Sequence, residues 1–226
     1  MKNIEENIII IGAGPAGISC AIQLVRSGFN PLIIERDEIG GLLRNANLVE
    51  NYPGFPDGIK GPDLVDKMKS QAEKYNLRIN YERVIELKKE DGNFIIRTDS
   101  NIYFSPITVV ASGTKPQRIY DLEIPNTIRD RVLYEIYSIR DLKGKIVAIV
   151  GGGDAAFDYA LSLSENNKVM ILNRGIQTKC IPILKERVMK SENIEYRENI
   201  TINTVESKSG MIILNCSSSS EEHDIE

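Results

Sequence analysis

The chain has 226 residues, 42% of them hydrophobic and 27% charged, enough to bury a real core in one large or two small domains. Lys+Arg 28 against Asp+Glu 32 gives a net charge of −4, which speaks against nucleic acid or an anionic membrane as partner. No aliphatic run is long enough for a transmembrane helix or a secretory leader, so a cytoplasmic location is expected. Cys20, Cys180 and Cys216 form no C-x-x-C and imply neither a disulfide framework nor a zinc site, and a single histidine, His223, speaks against histidine catalysis and His-rich metal sites.

Taken in chain order, residues 8–11 are four isoleucines that read as a short buried strand. Gly12, Gly14 and Gly17 follow at G-x-G-x-x-G spacing, where a helix over residues 15–27 begins. Gly12 allows the tight turn, Gly14 lets the backbone approach a pyrophosphate, and Gly17 lets helix and strand pack closely. Free N–H groups at the helix start then attract the phosphates. Ile18, Ala21, Ile22 and Val25 fall on one helix face. Residues 31–35 form the second strand, and its terminal Glu35 stands roughly twenty residues after the first glycine, where a ribose-binding acid belongs. A bound adenine dinucleotide is the reading that context favours over a plain glycine turn.

Residues 36–60 contain Gly40, Gly41, Tyr52, Pro53, Phe55 and Pro56; irregular segments of this length inside a compact domain tend to be functional. Asp63 is expected to cap a helix over residues 64–74, with Leu64, Val65, Met68 and Ala72 on its apolar face. Residues 83–106 read as an antiparallel meander turning at Asp91-Gly92. A buried strand over 107–113 and an aperiodic stretch over 114–125 place the domain boundary between residues 113 and 114, giving domains 1–113 and 114–226.

The second half repeats the first. Residues 145–150 are again a buried strand, Gly151, Gly153 and Ala156 give G-x-G-x-x-A, residues 154–164 a helix and 168–172 the next strand. Two cradles call for two dinucleotides, which argues against a flavin-free dehydrogenase. That last strand ends in Asn173 and Arg174 instead of an acid. A carboxylate would favour NAD, whereas Arg174 with Lys179 can pair with the 2′-phosphate of NADP; ordinary solvated charges are the alternative for both. Residues 211–216 read as a strand and 217–224 as a turn or mobile connector, with a return strand starting only at Ile225. The fold class is therefore α/β, with two Rossmann-like domains of three layers and parallel sheets, and an antiparallel meander in the first.

This order of motifs resembles the thioredoxin-reductase-like FAD/NAD(P)-dependent pyridine nucleotide oxidoreductases. The likeness is carried by GAGPAG at 12–17, Gly40-Gly41, VENYPGFPDGIKGPDL at 49–64, ASGTKP at 111–116, KGK at 143–145 and VGGGDAA at 150–156. It implies FAD in the first cradle and NADP or NAD in the second. Position by position, Gly12, Gly14, Pro15, Ala16 and Gly17 would hold the FAD pyrophosphate and Glu35 its ribose. Gly40, Gly41 and Asn51 would lie along the flavin half, Val84 near the adenine, and Ala111, Ser112 and Gly113 at the FAD-side return. Gly151, Gly153, Asp154 and Ala155 would hold the phosphates of the nicotinamide cofactor, with Asn173, Arg174 and Lys179 at its ribose.

Three departures qualify the likeness. The family's C-x-x-C falls on Tyr134 and Tyr137, so no dithiol forms there; a disulfide relay is not expected, and the YEIY segment followed by KGK is similar to the ferredoxin–NADP reductases of this superfamily. The H-R-R group for the 2′-phosphate becomes Asn173, Arg174 and Gly175, which leaves NADPH or NADH open. The family's closing FAD segment and the last strand of its nicotinamide domain do not follow. The implied activity is an FAD-dependent oxidoreductase that takes hydride from NAD(P)H and passes electrons directly to a ferredoxin-like carrier or small molecule, without catalytic side chains. The alternatives are a thioredoxin-disulfide reductase homologue and a non-catalytic FAD/NAD(P)-binding module or fragment. An open sheet edge in the FAD half invites self-association, and a homodimer is expected.

Overall fold

The computed structural model describes residues 1–119, 122–218 and 222–225. It divides into two compact units, Met1–Arg44 with Val49–Lys115, and Asn45–Leu48 with Pro116–Glu226. The four-residue excursion of the first half into the second unit has no signal in the sequence.

In the first unit the elements run β1 (Asn3–Glu5), β2 (Ile8–Ile11), α1 (Pro15–Arg26), β3 (Leu32–Glu35), α2 (Gly61–Lys74), β4 (Arg78–Tyr81), β5 (Val84–Glu90), β6 (Asn93–Thr98), β7 (Ile102–Ser105) and β8 (Ile107–Val110). A parallel sheet has the order β4-β3-β2-β8, and a second sheet the order β1-β7-β6-β5. Continuous apolar runs give β2 and β3 because these strands are covered on both faces. Ile9, Ile11, Leu32 and Ile34 meet Ile96 and Tyr103 of the meander in one cluster. Full burial of each such side chain contributes about 1.5–3 kcal/mol.

The meander turns at Asp91-Gly92, with φ of 47° and 84°, the left-handed pair that a two-residue hairpin needs. Strand β1, unanticipated from the sequence, pairs parallel with β7. Helix α2 begins three residues earlier than expected. Lys60 is its N-cap and Pro62 lies in the first turn, so Asp63 is not the cap but a first-turn acid; proline's fixed φ suits that turn, and the carboxylate complements the helix dipole. The strand expected over 107–113 is only Ile107–Val110, and it is not buried. As the edge strand it leaves Ile107 52% and Val110 60% exposed.

In the second unit the order is β9 (Ile146–Val150), α3 (Asp154–Leu163), β10 (Lys168–Leu172), α4 (Pro182–Met189), β11 (Ile194–Arg197), β12 (Thr201–Lys208), β13 (Met211–Ser217) and β14 (Glu222–Ile225). Strands β11-β10-β9 form a parallel sheet. Phe157, Ala160 and Leu163 of α3 pack with Val169, Ile171, Leu184 and Val188. The expectation of a buried strand over 145–150 needs the same correction as that for 107–113: β9 is an edge strand, with Ile146 71% and Val150 49% exposed. An apolar run does not reveal whether a neighbour covers it.

Strands β12-β13-β14 form an antiparallel sheet that the sequence reading gave only to the first half. The return strand begins at Glu222, so Glu222, His223 and Asp224 are not part of a connector. At its other end Ser217 belongs to β13, and Ser219, Ser220 and Glu221 of the expected connector lie outside the described residues.

Candidate dinucleotide sites

Each cradle is a strand, a glycine turn and a helix start. In the first, Gly12 has φ of +103°, and a Cβ there would meet the Ala111 carbonyl. A Cβ on Gly17 would run into the Gly12 carbonyl oxygen, so α1 can approach β2 only with glycine at that position. At Gly14, by contrast, a Cβ would meet nothing within 4 Å. The space beside it is open. The first bond of α1 runs from the Ile18 N–H to the Gly14 carbonyl at 3.0 Å. The Ala16 and Gly17 N–H groups therefore have no partner in the helix and form an anion-attracting end; Pro15 opens the helix, where its missing N–H costs nothing.

Glu35, at the end of β3, is 9% exposed. Its Oε2 accepts the Ala13 N–H at 2.6 Å and its Oε1 the Asp37 N–H at 2.9 Å. Two of about four acceptor positions on the carboxylate are thus filled, and the others can take ribose hydroxyls. Gly40, with φ of +99°, packs against Val65, and Gly41 is also left-handed at +55°. Asn51 is exposed in the loop closed by the Val49–Ile59 bridge. Val84 packs on the Ile9–Tyr103 cluster. The Ala111 N–H donates to Ile11 at 2.8 Å, and exposed Ser112 and Gly113 follow. A cavity of about 360 Å³ lined by Asp37, Glu38, Ile39, Lys69, Glu73 and Tyr81 adjoins the end of β3. Sequence reading missed it because isolated charged surface residues carry no periodic signal.

In the second cradle Gly151 has φ of +140°, and at Gly153 a Cβ would again meet nothing within 4 Å. Asp154 and Ala155 begin α3 and are exposed. The loop after β10 arches back over this turn. Lys179 donates its N–H to the Gly152 carbonyl at 2.7 Å, and Ile181 donates its N–H to Asp154 Oδ1 at 2.7 Å. Asn173 is 6% exposed and engaged inside the protein. Its Nδ2 donates to Gln177 O at 3.3 Å and to the Tyr196 hydroxyl at 2.9 Å, while its Oδ1 accepts the Gly175 N–H at 3.2 Å. A Cβ on Gly152 would strike the Asn173 amide. The structure therefore separates Asn173, which shapes the loop, from Arg174 and Lys179, which are exposed and make no ion pair among the described residues.

A buried polar knot in the second unit had no sequence signal. Asn45 Oδ1 accepts the N–H groups of Ile136 at 3.1 Å and Tyr137 at 2.9 Å, and Asn45 Nδ2 donates to Glu135 at 3.1 Å. The Asn47 N–H donates to Asp158 Oδ2 at 2.8 Å. Burial pushes the Asp158 carboxyl above its ordinary range, although the N–H groups of Asn47 and Leu48 and the charge of Arg187 oppose the shift. Burial likewise raises the Tyr159 hydroxyl, helped by Glu135 and Asp158. Tyr134 and Tyr137 lie under Arg118 and Arg140 at 5.4 and 4.6 Å from ring centroid to guanidinium.

Both units thus have the fold and turn geometry of dinucleotide-binding domains, placed in tandem. A family model for pyridine nucleotide-disulphide oxidoreductases matches residues 6–224, and the chain belongs to that family. The thioredoxin reductase of Borreliella burgdorferi is 33% identical over 210 residues, covering 91% of this chain and 64% of that protein. A 34.2 kDa protein in the rubredoxin operon of Clostridium pasteurianum is 35% identical over 202 residues, covering 86% and 64%. The solved thioredoxin reductase of T. acidophilum superposes with a TM-score of 0.85 at 27% identity, over 98% of this chain and 74% of that one. The chain spans just under two-thirds of the length of the two sequence relatives.

Proposed function

We propose that the chain is the nucleotide-binding body of an FAD-dependent oxidoreductase that uses NAD(P)H and delivers electrons from the flavin directly to an acceptor, a ferredoxin-like carrier or a small molecule. The observation that carries this reading is the pair of open positions at Gly14 and Gly153, each at the mouth of a glycine turn facing a helix start. Small open positions beside unpartnered N–H groups suit two pyrophosphates better than a packed core.

Under this reading FAD and the nicotinamide cofactor, when bound, would supply the redox chemistry of hydride transfer. The protein's part is binding and orientation. Gly12, Gly14, Pro15, Ala16 and Gly17 hold the FAD pyrophosphate and Glu35 the ribose, and Val84 borders the adenine. Gly40, Gly41 and Asn51 line the flavin half, with Ala111, Ser112 and Gly113 at the return. Gly151, Gly153, Asp154 and Ala155 hold the second pyrophosphate. Arg174 and Lys179 pair with a 2′-phosphate, which selects NADPH, and Asn173 holds their loop in shape.

The relatives named thioredoxin reductase carry a name that implies a disulfide substrate. Tyr134 and Tyr137 supply no thiol here, and the three cysteines are free, so delivery without a redox disulfide is the reading that fits this chain. Unpaired cysteines also suit a cytoplasmic location; among the described residues no helix is long and apolar enough to cross a membrane.

The test is a visible spectrum of the purified chain loaded with FAD, followed by anaerobic NADPH and, separately, NADH. A flavin band bleached by NADPH at lower concentration than by NADH is expected, with re-oxidation by ferricyanide and none by a disulfide. A chain that binds FAD without being bleached by either nucleotide would be a binding module, and the proposal would fall.

A further inference from the structure

Glu82 lies in the short link between β4 and β5 and gathers a polar network within the first unit. Its N–H donates to the Glu35 carbonyl at 2.8 Å, so the link continues the ladder from the end of β3. Its carboxylate turns to the meander and accepts the Thr98 hydroxyl at 2.6 Å, the Tyr103 hydroxyl at 2.7 Å and the Asn101 side-chain amide at 2.8 Å. Thr98 and Tyr103 are fully buried, and Asn80 Nδ2 donates to the Tyr103 hydroxyl at 3.0 Å. Hydrogen bonds to a carboxylate are stronger than neutral ones. One side chain therefore ties the ends of β3 and β4 to the turn between β6 and β7.

What this network anchors is the start of β5. The Arg83 carbonyl accepts the Asp99 N–H at 3.0 Å, and the Arg83 N–H donates to Asp99 Oδ1 at 3.3 Å. Residues bonded to a given neighbour alternate along an antiparallel strand, so the N–H and C=O of the next residue, Val84, point away from β6. Strand β5 is the last in its sheet, which puts those two groups on an open edge among the described residues, while the Val84 side chain packs on the Ile9–Tyr103 cluster. An N–H donor beside a C=O acceptor complements adenine, whose edge carries an N1 acceptor beside an N6 amino donor.

We propose that Glu82 is a positioning residue for the adenine of FAD: through Thr98, Asn101 and Tyr103 it holds the Arg83–Val84 backbone in the register at which the Val84 N–H and C=O read the base. The inference rests on the proposed placement of FAD in the first cradle, and adds the residue that makes this site select its base. Without the carboxylate, the link loses its side-chain anchor to the meander and the edge groups leave that register. The glycine turn and Glu35, which hold pyrophosphate and ribose under the same reading, keep their own hydrogen bonds.

The test compares FAD with flavin hypoxanthine dinucleotide, whose base has an N1 donor and an O6 acceptor and so reverses the pattern of adenine. Titration of the intact chain should show FAD binding about tenfold tighter than the analogue, the scale of one or two neutral hydrogen bonds. Glu82→Ala should bring the two ligands within about twofold of each other, by weakening FAD and leaving the analogue almost unchanged. Tyr103→Phe and Thr98→Val each remove one donor to the carboxylate and should lower the ratio part of the way; Thr98→Ser, which keeps the hydroxyl, should hold it at the parent's value. A role confined to the stability of the meander weakens both dinucleotides alike, so an unchanged ratio in Glu82→Ala would overturn the proposal. If that variant does not fold, an unchanged ratio in both Tyr103→Phe and Thr98→Val overturns it equally, as does a parent that binds the two dinucleotides with the same affinity. A parent that binds neither removes FAD from the first cradle, and the proposed function falls together with this inference.

Discussion

The carboxylate of Glu35 accepts the Ala13 N–H at 2.6 Å, tying the end of β3 to the glycine turn that follows β2. One side chain therefore fixes the turn, and it is the side chain proposed to bind a ribose. Glu35→Ala leaves the N–H of buried Ala13 unpaired, at about 1–3 kcal/mol, and removes the acceptor of the exposed Asp37 N–H. Urea denaturation should show the loss, and titration with FAD should show binding weakened at least tenfold. Glu35→Gln, which keeps one acceptor, should recover part of the stability and less of the binding.

Gly14 and Gly17 separate binding from folding. Gly17→Ala forces a Cβ into the Gly12 carbonyl oxygen, and should destabilise the first unit by several kcal/mol, about the scale of severe core substitutions. Gly14→Ala meets no protein atom within 4 Å. Its melting temperature should stay within a few degrees of the parent while FAD affinity falls at least tenfold. Equal loss of stability in both variants would show that the space at Gly14 belongs to the fold and not to a ligand.

These positions were legible in the sequence because spacing encodes them: a strand, a glycine triplet and a distant acid define a turn before any coordinates are known. What spacing does not encode is who covers a strand. Ile8–Ile11 and Ile146–Val150 read alike, yet the first is buried and the second lines an open edge. The same limit hid the second meander, whose strands β12 and β13 alternate in burial only weakly, and the crossing of Asn45–Leu48 into the second unit. Asn173 could be seen as a departure from a basic residue. Its task of holding Gln177, Gly175 and Tyr196 became visible only with the loop folded around it.

Asp158 should make stability depend on pH in an unusual direction. Burial raises its folded pKa above the unfolded value, so the folded state binds the proton more tightly. Its contribution is fully present below the ordinary carboxylate range and is lost as pH rises through the folded pKa. Asp158→Asn keeps an acceptor for the Asn47 N–H and removes the charge. It should match or exceed the parent at pH 7 and flatten the fall in stability across that mildly acidic window. Asp158→Ala leaves the Asn47 N–H without its acceptor, and should cost about 1–3 kcal/mol throughout. Urea midpoints measured from pH 4 to 8 check both; a slope unchanged in Asp158→Asn would remove this carboxylate from the account.

Under the proposed function, Arg174 and Lys179 should discriminate NADPH from NADH. The loop is held by the Lys179 N–H on Gly152, the Ile181 N–H on Asp154 and the amide of Asn173, which leaves both cationic heads exposed for a phosphate. Each charge-assisted contact to a 2′-phosphate is worth about 1.5–3 kcal/mol. Arg174→Ala with Lys179→Ala should therefore weaken NADPH at least tenfold and leave NADH within about twofold, and added salt should shrink the difference for the parent. Asn173→Ala should act differently: it loosens the loop beneath both nucleotides, so NADH and NADPH should weaken together. Calorimetric titration of the three proteins, parent, double variant and Asn173→Ala, with the two nucleotides separates reading the phosphate from shaping the loop, and equal losses for both nucleotides in the double variant would show that the two cations do not read the 2′-phosphate.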